Sequence, residues 1–397
     1  MIFRRILMMA ALAAVGTALL GQVRTLLKDP SIWPPDDFIE YWAAAKLTLS
    51  GQNPYDANLL LPLQQANGRD TDKAIMMWNP PWSLTVVVPL GLLPAREAQL
   101  LWLAVNFAAI LICGDRLWLL LGGSKERRWA GWAIALTALP TLFALQSGQI
   151  SPLLLLGGVL FLECERRGWH FAAGAATVLL AIKPHLAYLV WVAILCHAIG
   201  RGRWRIVLGG AATAILCSAV PLVFNTDVWR QYLDALANRT PEEWLMPTLG
   251  SLLRLVFGGA MFGLQFVPVF AGLAWFARYW TRYEKTWDWD DQIPLLLLVS
   301  FLTAPYGAWP FDMVLLLPAA LWLVLRVHGP ARGPVIAGLI AVNVACFVLN
   351  VLKISSFWFI WVAPVMLLLY YLGIRGSSLV VSASDSRMSN DAEAVPA

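Results

Sequence analysis

Charge in this chain is confined to short clusters, and apolar stretches fill the space between them. The basic clusters are Arg4–Arg5, KERR at 125–128, ERR at 165–167, RGRWR at 201–205, RYWTRYEK at 278–285, RVHGPAR at 326–332 and Arg375. A membrane-crossing helix needs about 20 apolar residues in a row. Lipid offers no hydrogen bonds, so the backbone must satisfy itself and the apolar runs are predicted to be helices. Basic clusters mark the inner side of a membrane, and an even number of crossings fits between successive clusters. Only 13% of the residues are charged and 59% are hydrophobic, whereas soluble domains carry about 25% charged residues. The expected architecture is an all-α polytopic membrane protein with about 12 transmembrane helices.

Several classes fall away at once. The net charge of +5 and the isoelectric point near 9.0 come from the loop clusters, which read as topology and not as a nucleic-acid surface. Cys113, Cys164, Cys196, Cys217 and Cys346 form no CxxC pair, so neither a zinc site nor a disulfide framework is expected. There is no P-loop, dinucleotide fingerprint, HExxH or GxSxG, and no cofactor or metal is called for. The N-terminal MIFRRILMMAALAAVGTALLGQV has the shape of a signal peptide without a convincing cleavage site. It reads as an uncleaved first span over 6–24. The Ser-rich end, 375–397, reads as a disordered cytoplasmic tail, leaving 1–374 as one transmembrane module.

The segment 79–94, NPPWSLTVVVPLGLLP, is apolar but short and rich in proline. Taken as a full crossing it would invert every later cluster, so it is expected to be a juxtamembrane or re-entrant piece. With that choice 25–97, 147–152, 182–185, 225–248 and 303–312 all fall on the outer side, where the unusual polar groups collect.

Asp36 and Asp37 precede Phe38, Tyr41, Trp42, Ala45 and Leu49, whose spacing predicts an amphipathic helix along the outer surface. An aspartate there can simply cap the helix, but Pro34–Pro35 ahead and the GQNPYD turn behind fix its position more tightly than a cap needs. Lys183, followed by Pro184 and His185, stands in an apolar run. A cation at that depth either snorkels to the interface or meets an anionic group such as a phosphate. Asp312 can cap the following span, and Gln149 can satisfy backbone at a helix junction. The many tryptophans near predicted interfaces read first as a membrane belt, with stacking on sugars as the other use.

DDFIEYWAAAKLTLSGQNPYD, WNPPW with PLGLLP, SGQIS, IKPH and APYGAWPFDMVLLLP occur in that order. Over roughly 1–373 the chain thereby resembles glycosyltransferase family 87, the polyprenol-phosphate-mannose-dependent α-1,2-mannosyltransferases of the GT-C superfamily. The resemblance implies a GT-C fold, a polyprenyl-phosphate sugar donor, a glycan or glycolipid acceptor, and an inner-membrane enzyme active on its periplasmic face. It implies Asp37 as the general base. Asp36, Tyr41, Tyr55, Asn79, Gln149, Lys183, His185 and Asp312 are the candidate substrate-binding residues, with Lys183 the cation for the leaving phosphate. WPFD at 309–312 departs from many family members, so the role of Asp312 stays open. The rival from another class is a transporter or flippase for a lipid-linked or small solute, which would share the helices and the membrane lysine. Paired half-sequences, the usual mark of such a protein, are not found. A third alternative is a non-catalytic assembly partner that kept the fold.

Overall fold

A computed structural model describes residue 25, residues 33–238 and residues 245–375. The predicted first span at 6–24 and the predicted tail beyond Arg375 lie outside the described residues. Among these, all regular structure is helical. In chain order the first helices are α1 (Phe38–Leu49), α2 (Ala57–Gln65), α3 (Pro81–Val87), α4 (Ala95–Leu120), α5 (Arg128–Thr137) and α6 (Leu139–Ser147). They are followed by α7 (Ser151–Arg166), α8 (His170–Leu180), α9 (Tyr188–Arg201), α10 (Trp204–Leu222) and α11 (Val228–Asn238). The last are α12 (Leu249–Phe257), α13 (Val267–Tyr283), α14 (Trp289–Leu302), α15 (Leu317–Arg326) and α16 (Arg332–Val351), before a final helical stretch, Ser356–Arg375.

Among the described residues, four stretches are long and apolar enough to cross a membrane: α4, α10, Gly329–Val351 and Ser356–Arg375. The bent pair Lys125–Thr137 and Leu139–Ser147, meeting at 62°, makes a fifth if taken as one span. The other predicted spans are helices below that length, such as α7 with 16 residues and α8 with 11. Prolines and left-handed glycines cut them short. Gly148 (φ 69) closes α6, and Pro184 opens a 3-10 turn after α8. The segment 79–94 holds α3 and a 3-10 turn, Val88–Leu92. At about 1.5–2 Å per helical residue, its helical part, Pro81–Leu92, reaches about 20 Å, short of the ~30 Å hydrocarbon layer.

The chain divides into two compact units: residues up to Leu103 with Val220–Asn238, and Ala104–Ala219 with Arg239 onward. In the first unit, α1 is not the amphipathic surface helix its spacing predicts. Phe38 through Ala45 and Leu47–Thr48 are all buried, Glu40 included. The Val88–Leu92 turn packs on the stripe that carries Trp42, Ala45 and Leu49. It lies so near that a Cβ on Gly91 would fall 2.9 Å from the Ala45 carbonyl carbon and from Leu49 Cδ1. Trp42 Nε1 donates to Leu93 O at 3.0 Å, and the Tyr41 ring packs on Trp102 at 5.8 Å.

In the second unit α7 and α8 cross closely. A Cβ on Gly157 would stand 2.7 Å from Leu179 Cβ. The start of α9 is held by α14, whose Ser300 Oγ accepts from Leu189 N at 3.1 Å, satisfying an N–H that the helix itself leaves open.

Candidate functional site

Each unit carries a polar centre built where regular structure stops. In the first unit it lies at the N-terminus of α1. The approach is clamped from α4: Arg96 Nη1 donates to Trp33 O at 2.7 Å, and buried Gln99 donates through Nε2 to Pro34 O at 3.1 Å. The Arg96 guanidinium also lies over the Trp33 ring, 4.7 Å from its centre. Asp36 then takes φ 42, the left-handed region that Asp and Asn enter more readily than other non-glycine residues. Asp37 follows as the N-cap of α1, but its side chain makes no capping hydrogen bond. Ordinary capping therefore does not account for that carboxylate. Asp36 is exposed as a residue, yet burial of its carboxyl among neighbouring protein atoms raises its pKa to about 6. The charge of Asp37 adds to the rise, while Arg69 and a backbone hydrogen bond oppose it.

Other sequence candidates in this unit are committed to packing. Tyr41 is fully buried in the core. Tyr55 is buried too; its hydroxyl donates to Asn79 O at 3.2 Å and its ring meets Tyr232 at 5.3 Å. Asn79 is 6% exposed, and its Nδ2 is buried without a hydrogen-bond partner.

The second unit joins three helix interruptions through their side chains. Lys183 comes from the turn between α8 and α9, Gln149 from the junction of α6 and α7, and Asp312 from the 3-10 turn Pro310–Leu316. Lys183 Nζ lies 2.7 Å from Asp312 Oδ1 and donates to Gln149 Oε1 at 3.3 Å. Ser151 Oγ donates to the same Asp312 oxygen. The second oxygen, Oδ2, accepts from Trp309 N at 3.2 Å. Asp312 thus caps its turn, as its position predicts, and also neutralises Lys183 from a fully buried position. The ammonium lies 5.0 Å from the Phe311 ring centre.

His185 sits on the same turn as Lys183. Its ring meets that of Tyr306 at 4.4 Å in a tilted arrangement, and Nε2 lies against Gly307, where a Cβ would fall 2.6 Å away. Gly307 has φ 64, so backbone and contact both require glycine. The loop carrying Tyr306 and Gly307 is tied down by Gln265 Nε2, which donates to Pro305 O, and by Gly307 N, which donates to Met246 Sδ at 2.9 Å.

The structure therefore brings Gln149, Lys183 and Asp312 into one network and seats His185 on the Lys183 turn. Asp36, Asp37, Tyr55 and Asn79 belong to the first unit. Sequence reasoning missed Ser151, whose signal was its place two residues after Gln149. It also missed Arg69, whose charge reaches Asp36 from a loop that looks like ordinary surface.

A helical chain with apolar spanning helices, in which buried polar groups gather at helix breaks, defines a polytopic membrane protein. The profile of glycosyltransferase family 87 matches residues 78–305, more than half of the sequence, and the chain belongs to that family. It is a glycosyltransferase. No curated protein and no solved structure matches the chain. The matched region starts after Asp37 and stops before Asp312.

Proposed function

We propose that this glycosyltransferase moves a hexose, with mannose the sugar its resemblance implies, from a polyprenyl-phosphate donor to an acceptor hydroxyl on a glycan or glycolipid. The reaction takes place at the outer face of the inner membrane, within a GT-C type fold. One observation carries the assignment of the base. Asp37 holds the N-cap position of a buried helix whose approach is clamped from α4, and it makes no capping hydrogen bond with its side chain.

The chemistry follows from that carboxylate. The acceptor oxygen attacks the anomeric carbon while Asp37 takes its proton. The carbon–oxygen bond to phosphate breaks, and its electron pair leaves with the lipid phosphate. Attack opposite the leaving group inverts the anomeric centre. General-base catalysis of this kind contributes about 10²–10⁴-fold. Lys183, which the sequence alone points toward the donor phosphate, spends its charge on Asp312. We assign that pair to holding the three interruptions of the second unit together.

The test is transfer of labelled hexose from polyprenyl phosphate to a total envelope extract, in membranes carrying each variant. Asp37→Asn keeps size and N-cap preference but cannot accept the proton. Its expression should match wild type while transfer falls by at least about 10²-fold. Asp36→Asn should cost much less. Full transfer by both variants would remove the catalytic role of these two aspartates and put the base elsewhere in the chain.

A further inference from the structure

The loop after α2 is more rigidly built than its polar sequence, NGRDTDK, leads one to expect. Buried Gln64 clasps it: Nε2 donates to Ile75 O at 2.7 Å, and Oε1 accepts from Ile75 N at 2.9 Å. Gln65 Nε2 donates to Thr71 O at 2.8 Å, Thr71 Oγ1 donates to Lys73 O at 3.1 Å, and Arg69 N donates to Gln64 O at 3.2 Å. Gly68, at φ 96, makes the turn just before Arg69.

The guanidinium at the end of this scaffold is poorly used. Its Nε is buried without a partner, and Nη2 reaches only Lys73 O, at 3.5 Å. Among the described residues no carboxylate comes within ion-pair distance of it. Gln64 already fastens the loop, so Arg69 is not needed as a staple. Its charge is nonetheless felt at Asp36, on the strained segment that leads into α1.

We infer that Arg69 is an anion-binding residue beside the Asp36–Asp37 pair, and that its ligand is the phosphate of an isoprenoid phosphate. This rests on the proposed donor class. Two adjacent carboxylates repel any phosphate brought near them, so an anionic donor needs a cation on the same rigid frame. The donor phosphodiester carries one negative charge, and the released monoester carries up to two once the bond to the sugar has broken. A guanidinium with free N–H groups holds the second form more tightly and stabilises the charge as it develops. Arg69 then serves the donor while Asp37 serves the acceptor.

The experiment measures binding of farnesyl phosphate, a short isoprenoid monoester, to the purified full-length chain in lipid nanodiscs. Sugar transfer is assayed in parallel. Wild type should bind, and Arg69→Gln should bind about 10–100-fold more weakly, the loss expected for a charge-assisted hydrogen bond. Arg69→Lys should fall between. Lys73→Met removes an exposed cation from the same loop and should bind as wild type does. In transfer assays Arg69→Gln should raise the donor KM and lower kcat. Equal binding by Arg69→Gln and wild type, with transfer intact in wild type, would overturn the role of Arg69 alone. Equal losses in Arg69→Gln and Lys73→Met would also overturn it, by showing a diffuse charge effect. Absence of both binding and transfer in wild type would overturn the donor class and this inference with it.

Discussion

Lys183 Nζ and Asp312 Oδ1 meet at 2.7 Å across 129 positions of sequence, and neither side chain is reached freely by water. The carboxylate is fully buried and the lysine side chain is 11% exposed. Each charge is tolerable there because the other is present, and Ser151, Gln149 and Trp309 N satisfy what remains.

Lys183→Met alone should therefore damage the fold, because it strands the Asp312 charge. Breaking one side of a buried pair costs about 3–5 kcal/mol, whereas replacing both partners with apolar residues is often neutral. The double variant Lys183→Met/Asp312→Leu should recover much of the loss. Thermal unfolding of the four proteins of this cycle in detergent tests it. Additive losses would mean that the two charges do not depend on each other.

Asp36 gives a pH dependence whose sign is fixed. Its folded pKa, about 6, lies above the ordinary 3.8, so the folded chain binds the proton more readily than the unfolded one. Stability contributed by this group is fully present at low pH and falls as pH rises from about 4 to about 6. Asp36→Asn removes that loss. The variant should be more stable than wild type at pH 7.5, by a margin that shrinks toward pH 5. Asn also suits the left-handed backbone, which adds a gain independent of pH, so the change in margin is the quantity to read. A margin constant between pH 5 and 7.5 would deny the carboxyl its raised pKa.

Gly91→Ala should loosen the support of α1. The added methyl would sit 2.9 Å from backbone of Ala45 and 3.0 Å from Lys46 N, and backbone cannot move aside as a side-chain tip can. Overpacking of this kind costs about 1–3 kcal/mol. Both unfolding temperature and sugar transfer should drop, since the displaced helix carries Asp37. Wild-type values for both would show that the turn at Val88–Leu92 has room to retreat.

Much of this architecture can be read from periodicity and punctuation. Long apolar runs mark α4, α10 and α16, and the breaks at Gly148 and Pro184 stand in the sequence as SGQIS and IKPH. What escapes is pairing at a distance. Lys183 looks like a lone cation because its carboxylate is 129 positions away, and no local spacing records that. The burial of α1 escapes for a different reason. Ala43 and Ala44 look neutral in a pattern of apolar and polar residues, yet both are fully buried. Arg69 is hidden because a charged loop tip and a rigid charged loop have the same composition; the difference is Gln64, whose two bonds to Ile75 appear only in three dimensions.

The interruption at Gly148 has a consequence for the phase of everything beyond it. Each helical residue turns the chain by about 100°, so adding or deleting one residue between Ser147 and Ser151 would rotate α7 by that angle about its own axis. Ser151 would swing away from Asp312, and Gly157 would leave its crossing with α8. The short left-handed step is thus the angular reference of the second unit: its length, more than its composition, decides which side chains find one another.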